Sequence, residues 1–313
     1  MTSHAPAASH AVPLKGLALL ALLTVVWGIN WPLFKMALNE LGPWSLRCFS
    51  LALGAGAMFA VARLRGISLA VPKKVRLRLA LASMCNIALW NILTAYGVLY
   101  LPSGHAAVLG FSMPLWAAII GFLFLGERLN RRAVLAVLLG TAGLTLLMVD
   151  DFAKLGSGMA LFGLVVMICA ANSWAVGTFV QKRTHWNMPL ISLAAWQMAL
   201  GWVPIAIMAA ILEFPDLHMP SITTMGLVAF IGFISLAIGM LTWLAIVQLL
   251  PVNVAAISTV LVPVVAVVGG GLILGEPLGL VQYAALLLTV LALALVMFQP
   301  RPRPAAAVVP LEM

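Results

Sequence analysis

Seven polar side chains interrupt stretches of this chain that are otherwise almost wholly apolar: Asn30, Asn86, Asn91, Asn172, Gln197, Thr242 and Gln248. In a medium that cannot hydrogen bond, such groups are costly unless they are partnered, so they face one another or a wet interior. The chemistry they offer is hydrogen bonding, not bond making. Seven of the ten tryptophans (Trp27, Trp90, Trp116, Trp174, Trp196, Trp202 and Trp243) also lie deep within apolar stretches, while Trp44 and Trp186 sit at stretch ends as interfacial anchors. An interior indole needs a partner for its N–H. Trp90-Asn91, Asn172 with Trp174, and Thr242-Trp243 each set a flat apolar surface beside a polar group, which suits a flat amphipathic solute. Two readings stay open for these residues: interhelical packing and hydrogen bonding, or the walls of a cavity. Asn30, Asn91 and Asn172 lie well inside their stretches and are the best cavity candidates.

Charged groups inside the apolar stretches are few. Lys35 and Arg47 lie near stretch ends, where snorkelling to the interface is the simpler reading. The alternative is a gate or a contact to a solute carboxylate. Glu127 and Glu276 each follow a glycine and read as turn or N-cap residues for the helix after them. His105 opens an apolar stretch and is the one histidine placed near an interior, a further ligand candidate. No His, Cys and acid set has metal-ligand spacing, and neither HExxH nor GxxxxGK occurs. The sequence therefore implies no metal, no cofactor and no nucleotide hydrolysis. Cys48, Cys85 and Cys169 have no paired spacing and read as small packing residues.

The elements that carry these side chains follow from composition. Hydrophobic residues make up 64% of the 313 and charged residues 8%, against roughly 25% charged in a soluble domain. Such a chain cannot cover a water-facing surface, so lipid is its main solvent. Apolar runs at 16–38, 44–62, 79–100, 103–125, 132–149, 158–180, 190–212, 222–248, 253–274 and 280–298 predict ten transmembrane helices. The alternating runs of about ten residues that a β-barrel requires are absent. The first run has no small-residue cleavage site after it and reads as an uncleaved helix.

The +9 formal charge lies in the connections between runs and not along one face, so it speaks for membrane orientation and against nucleic acid. Fourteen of the basic residues, including Arg63, Arg65, Lys73, Lys74, Arg76 and Arg78, fall on one side. Only Lys154 falls in a connection on the other, beside Glu40, Asp150, Asp151, Glu213, Asp216 and Glu276. That asymmetry predicts an inner-membrane protein with both termini cytoplasmic.

The chain also repeats itself. Leu101–Met148 and Leu250–Met297 align without gaps at an offset of 149, with 18 identities in 48 positions. Pro102 and Pro251, Pro114 and Pro263, and the two Leu-Gly-Glu triplets ending at Glu127 and Glu276 are among them. Trp27 and Lys35 match Trp174 and Lys182 at an offset of 147. Five runs per copy, an odd number, place the second copy upside down relative to the first. The expected fold is an all-α polytopic membrane protein with ten transmembrane helices in two inverted five-helix repeats. Residues 1–15 form a cytoplasmic segment, 16–150 and 151–299 the repeats, and 300–313 a disordered cytoplasmic tail.

Taken together, Trp27-Gly28-Ile29-Asn30 with Lys35, Arg47, Ser103-Gly104-His105-Ala106-Ala107, Pro114 and the repeated Leu-Gly-Glu resemble the EamA-type unit of the drug/metabolite transporter superfamily. The resemblance runs from Trp27 to Met297 and is closest to the aromatic amino-acid exporter group. Gln197 stands in the second copy where the first has Arg47, so a shared role for that arginine is not implied. The resemblance implies a monomeric or homodimeric carrier, not an enzyme, that exports amino acids or moves sugars or other small solutes by alternating access. Its solute would bind among Trp27, Asn30, Trp90, Asn91, His105, Asn172, Trp174 and Trp243. With no carboxylate deep in a run, facilitated diffusion is favoured over proton antiport. A membrane-embedded enzyme would need convergent acid, base or nucleophile groups, and a seven-helix sensor would need a different count. A reporter fused after Met313 is expected to read as cytoplasmic; an external signal overturns the topology.

Overall fold

A computed structural model describes residues 14–125, 131–154, 157–249 and 252–297. Among them the chain is entirely helical, with no strand. In order the helices are α1 (Leu14–Ala37), α2 (Pro43–Leu64), α3 (Arg76–Ser83), α4 (Trp90–Tyr100), α5 (Ser103–Gly110), α6 (Met113–Leu125), α7 (Arg131–Lys154), α8 (Ser157–Lys182), α9 (Leu190–Leu212), α10 (Ile222–Ala229), α11 (Gly239–Leu249), α12 (Val252–Leu274) and α13 (Leu280–Met297). Wider π-helical segments, Met84–Leu89 and Phe230–Ile238, join α3 to α4 and α10 to α11. Among the described residues, eight helical stretches are long and apolar enough to cross a membrane. The expected runs 253–274 and 280–298 correspond to α12 and α13, whose apolar parts are shorter, Val260–Leu274 and Leu280–Leu295.

Local sequence explains the breaks. Gly66 takes φ +64 after α2, and the amides of Gly66 and Ile67 return to the carbonyls of Arg63 and Ala62 at 3.0 and 2.8 Å. Those two bonds close a Schellman turn, which a left-handed glycine permits. The run 103–125, expected as one rod, divides at Phe111–Ser112 into α5 and α6. Pro114 lacks an amide proton and its ring crowds the turn before it, so the ladder loses a bond there. Pro263, at the matching place in the repeat, leaves α12 unbroken.

Helices at matching places in the two copies pack together. α7 and α13, whose first residues are 149 apart, run antiparallel: a Cβ on Gly140 would meet that of Ala292, and one on Gly143 would lie 2.9 Å from the Ala285 carbonyl. α2 packs on α9 at an offset of 147 and α5 on α12 at 149; α1, which has no such equivalence to α12, also lies along it, with Gly28 against Val262 and Pro32 against Gly269. The two π segments also recur at nearly this spacing.

One end of the bundle is tied by three carboxylates, each reaching the first turn of a helix from the other copy. Glu40, just after α1, accepts from the Ser221 amide and hydroxyl at 2.7 Å each, at the start of α10. Glu213, just after α9, accepts from the amides of Trp44 and Ser45 at 3.1 and 2.7 Å, at the start of α2. Glu276 accepts from the Ser103 amide at 2.6 Å, the Ser103 hydroxyl at 3.0 Å and the Gly104 amide at 3.2 Å, at the start of α5. Helix starts present unbonded amides and a positive dipole end, so a carboxylate satisfies both at once. This corrects the expectation for Glu276, which caps α5 and not the helix after it. Gly275, at φ +67, turns the chain back to make that possible. Glu127 lies outside the described residues. The Ser221 amide, then its hydroxyl, hold the Glu40 carboxyl below the usual carboxylate range. That tie is therefore complete at neutral pH and lost only as the pH falls through the lowered value.

Gly143 has little room, with the Thr289 hydroxyl 2.7 Å from where its Cβ would be. Gly143→Leu is expected to part α7 from α13 and to destabilise the fold by about 1–3 kcal/mol, as overpacking does. A melting temperature equal to that of the unaltered protein in the same detergent would contradict this packing.

Candidate functional site

Indole rings from both copies meet across the centre of the bundle. Trp90 of α4 packs on Trp174 of α8 with centroids 4.9 Å apart at 60°, and Trp27 of α1 on Trp243 of α11 at 6.1 Å and 37°. Each pair joins one helix of the first copy to one of the second. Trp31, one turn beyond Trp27, is edge-on to Phe111 at 6.2 Å. The outer ring atoms of Trp31 and Trp90 lie 3.1 and 3.3 Å from where a Cβ on Gly110 would be. A glycine at 110 therefore lets these two indoles approach.

The π segments position the rings. A π turn widens the helix and disturbs its bond ladder, so side chains from elsewhere can bond its backbone. The Trp27 Nε1–H donates to the Ser235 carbonyl of the second π segment at 3.0 Å. The Ser173 hydroxyl donates to the Cys85 carbonyl of the first at 2.6 Å. Asn86, also in the first, donates from Nδ2 to the Trp174 carbonyl at 3.0 Å and accepts from Gln181 Nε2 at 2.9 Å. Asn86 thus fixes the stretch of α8 that carries Trp174. Gly177 makes room for it, since a Cβ there would collide with the Asn86 amide.

The proposed ligands fare differently. Trp27, Trp90, Trp174 and Trp243 are brought together as described. Asn30 is half-buried, and its Oδ1 is buried without a hydrogen-bond partner. Asn91 and Asn172 spend their amide N–H groups within their own helices, on the carbonyls of Ile87 at 2.9 Å and Ile168 at 2.8 Å. His105 is buried in α5, which packs on α1, α8 and α12. The indoles of Trp196 and Trp202 donate to the Leu69 and Cys48 carbonyls, a structural use. Cys48 is buried and Cys85 half-buried, but Cys169 is exposed on α8, which does not fit a packing residue.

Arg47 overturns the snorkelling reading. It is only 5% exposed, with Nε donating to the Asn91 carbonyl and Nη2 to the Thr94 hydroxyl, both at 3.1 Å. Its guanidinium lies 3.7 Å over the centre of the Phe34 ring, a cation–π contact. The short distance of Arg47 from a helix end concealed this, because its partners, Asn91, Thr94 and Phe34, lie on other helices. Lys35 is half-buried and donates from Nζ to the Leu101 carbonyl at the end of α4.

Comparison with known proteins agrees with this architecture. The EamA-like transporter family matches residues 14–149 and 161–298. The chain is 30% identical to an uncharacterized transporter of Bacillus subtilis, YvbV, over 93% of this chain and 94% of that protein. It is 25% identical to a probable amino-acid metabolite efflux pump of Escherichia coli, over 86% and 90%. A crystal structure superposes with a TM-score of 0.64 at 18% identity, covering 90% of this chain and 96% of that one.

Replacing Asn86 by alanine removes both of its bonds to α8 and strands the partners. The cost expected for a buried group left unsatisfied is about 1–3 kcal/mol, with a fall in the fluorescence coupling of Trp90 and Trp174. Unaltered stability and emission would separate Asn86 from the placement of Trp174.

Proposed function

The chain belongs to the EamA-like transporter family and is a membrane transporter, not an enzyme; from that premise we propose that it exports amino acids, with a preference for amphipathic or aromatic ones. The observation that carries this reading is the pair of interhelical tryptophan contacts, Trp90 on Trp174 and Trp27 on Trp243, that link the copies. They provide flat apolar walls, and Asn30 provides a polar atom without a protein partner. Asn91, His105 and Asn172 complete the proposed site. The similarity to a probable amino-acid metabolite efflux pump supports the solute class.

Transport follows alternating access between ten spans arranged as two inverted five-helix halves. Antiparallel packing of α7 on α13 at matching places supports the inversion. The chain sits in the inner membrane with both termini cytoplasmic, so the end tied by Glu40, Glu213 and Glu276 faces outward. In the state described here the three carboxylates hold that end closed, and the solute leaves when the halves part there. Each tie consists of hydrogen bonds with modest net stability, so the two states stay close in energy. No coupling ion is required, and the solute gradient suffices.

Purified protein in liposomes should move labelled amino acids, aromatic ones fastest. Trp90→Ala should lower the rate at least tenfold in a variant that still elutes as a single folded species, because ring stacking on an indole is lost along with its apolar area. Uptake of a sugar or a drug-like cation in place of amino acids would replace this solute assignment, and an unchanged rate would remove Trp90 from the site.

A further inference from the structure

Arg47 is a buried cation inside a membrane-spanning helix, and among the described residues no carboxylate pairs with it. A buried charge is retained where something compensates it. Glu213, the acid bonded to the start of the same helix, has its two oxygens on the amides of Trp44 and Ser45. The protein itself compensates Arg47 only in part, through one carbonyl, one hydroxyl and one ring face.

Geometry shows which part of the guanidinium remains. The Asn91 carbonyl and Thr94 hydroxyl are 3.1 Å from each other, so they occupy a single edge, the one formed by Nε and Nη2. The Phe34 ring covers one flat face. The Nη1–Nη2 edge is the other edge capable of two parallel N–H bonds to a carboxylate. Asn91 and Thr94 hold the guanidinium at a fixed angle, as a preorganised binding group needs. Trp90, beside Asn91 in the chain, belongs to the indole group. On α1, Asn30 precedes Phe34 by one turn, about 6 Å along the helix and on the same side. Asn30 Oδ1 is an acceptor with no donor.

We propose that Arg47 binds the carboxylate of the transported solute and that Asn30 Oδ1 receives its ammonium group, so that the site recognises the zwitterionic part of an α-amino acid while Trp90 and its neighbours take the side chain. This rests on the reading of the chain as an amino-acid exporter. It also accounts for the asymmetry between copies: a single solute carboxylate needs a single cation, and at the offset of 147 that relates α2 to α9 it is Ala194, not Gln197, that stands at the place of Arg47.

The test compares acids with their neutral amides. Unaltered protein, R47Q and R47K are reconstituted in liposomes and assayed with tryptophan, tryptophanamide, leucine, leucinamide, an aliphatic monocarboxylate and a neutral sugar. Unaltered protein should prefer each amino acid to its amide. R47Q should reduce that preference by roughly 30-fold or more, the loss expected when one partner of a buried charge pair is truncated. R47K, which keeps the charge but not the fork, should lose part of it and carries the test if R47Q does not elute as a single folded species. Equal loss for acid and amide in the folded variants would make Arg47 a structural residue and overturn the proposal, as would an unchanged ratio. Transport of the monocarboxylate but not of amino acids, with the same selective loss in R47Q, would end the amino-acid reading and leave the Arg47 assignment standing. Transport of the sugar alone would end both.

Discussion

Within hydrocarbon, every amide and carbonyl of the backbone has to find its partner inside the protein. Straight helices meet that demand by themselves, and most of this chain is straight helix. The places where the ladder is disturbed are therefore the informative ones. Two π segments disturb it at matching positions in the two copies, and each receives a side chain from the opposite copy: Trp27 on the Ser235 carbonyl, Ser173 on the Cys85 carbonyl. The same demand applies at helix starts, where Glu40, Glu213 and Glu276 satisfy first-turn amides across the boundary between copies. Backbone satisfaction is thus what couples one half to the other.

That coupling is polar and local, while the packing between halves is close and apolar. Glycines such as Gly28, Gly104 and Gly143 let helices meet at backbone distance, and lipid offers no hydrophobic penalty for separating them. A protein joined in this way can rearrange by exchanging a few hydrogen bonds without losing its core. Arg47 belongs to the same logic. It lies where α1, α2 and α4 converge, bonded to a backbone carbonyl and a hydroxyl and stacked on a ring, with one donor edge to spare.

Much of the fold was legible in the order of residues. Apolar runs located the helices to within a few positions, and the repeat at 149 anticipated that α7 and α13 would be equivalent. Glycine and proline marked the ends, although Pro114 broke its helix where Pro263 did not. The candidate site was legible only in its residue types: of the interior tryptophans, Trp90 meets Trp174 and Trp27 meets Trp243, contacts that the order of residues does not state. It was not legible in detail. Asn91 and Asn172 turned out to bond within their own helices, a choice made by rotamers that the sequence does not encode locally. Asn86, passed over as a ligand, holds α8 in place from a π segment that composition does not reveal.

By itself the sequence determined that the chain lives in lipid, that it is helical, and that it is built twice, because hydropathy and repetition are properties of residue order alone. Tertiary structure decided the fate of each charge. Position along a run suggested that Arg47 would snorkel and that Glu276 would cap its own next helix. Both inferences used distance along the chain, whereas solvent access and amide partners depend on distance in space. Glu213, remote from α2 in sequence, bonds the first-turn amides of that helix, and one turn on Arg47 is held by the Asn91 carbonyl and the Thr94 hydroxyl instead of by solvent. Gly275 reverses the chain so that Glu276 meets α5 from the other copy. Only the packed bundle brings those pairs together, and electrostatics follows the packing.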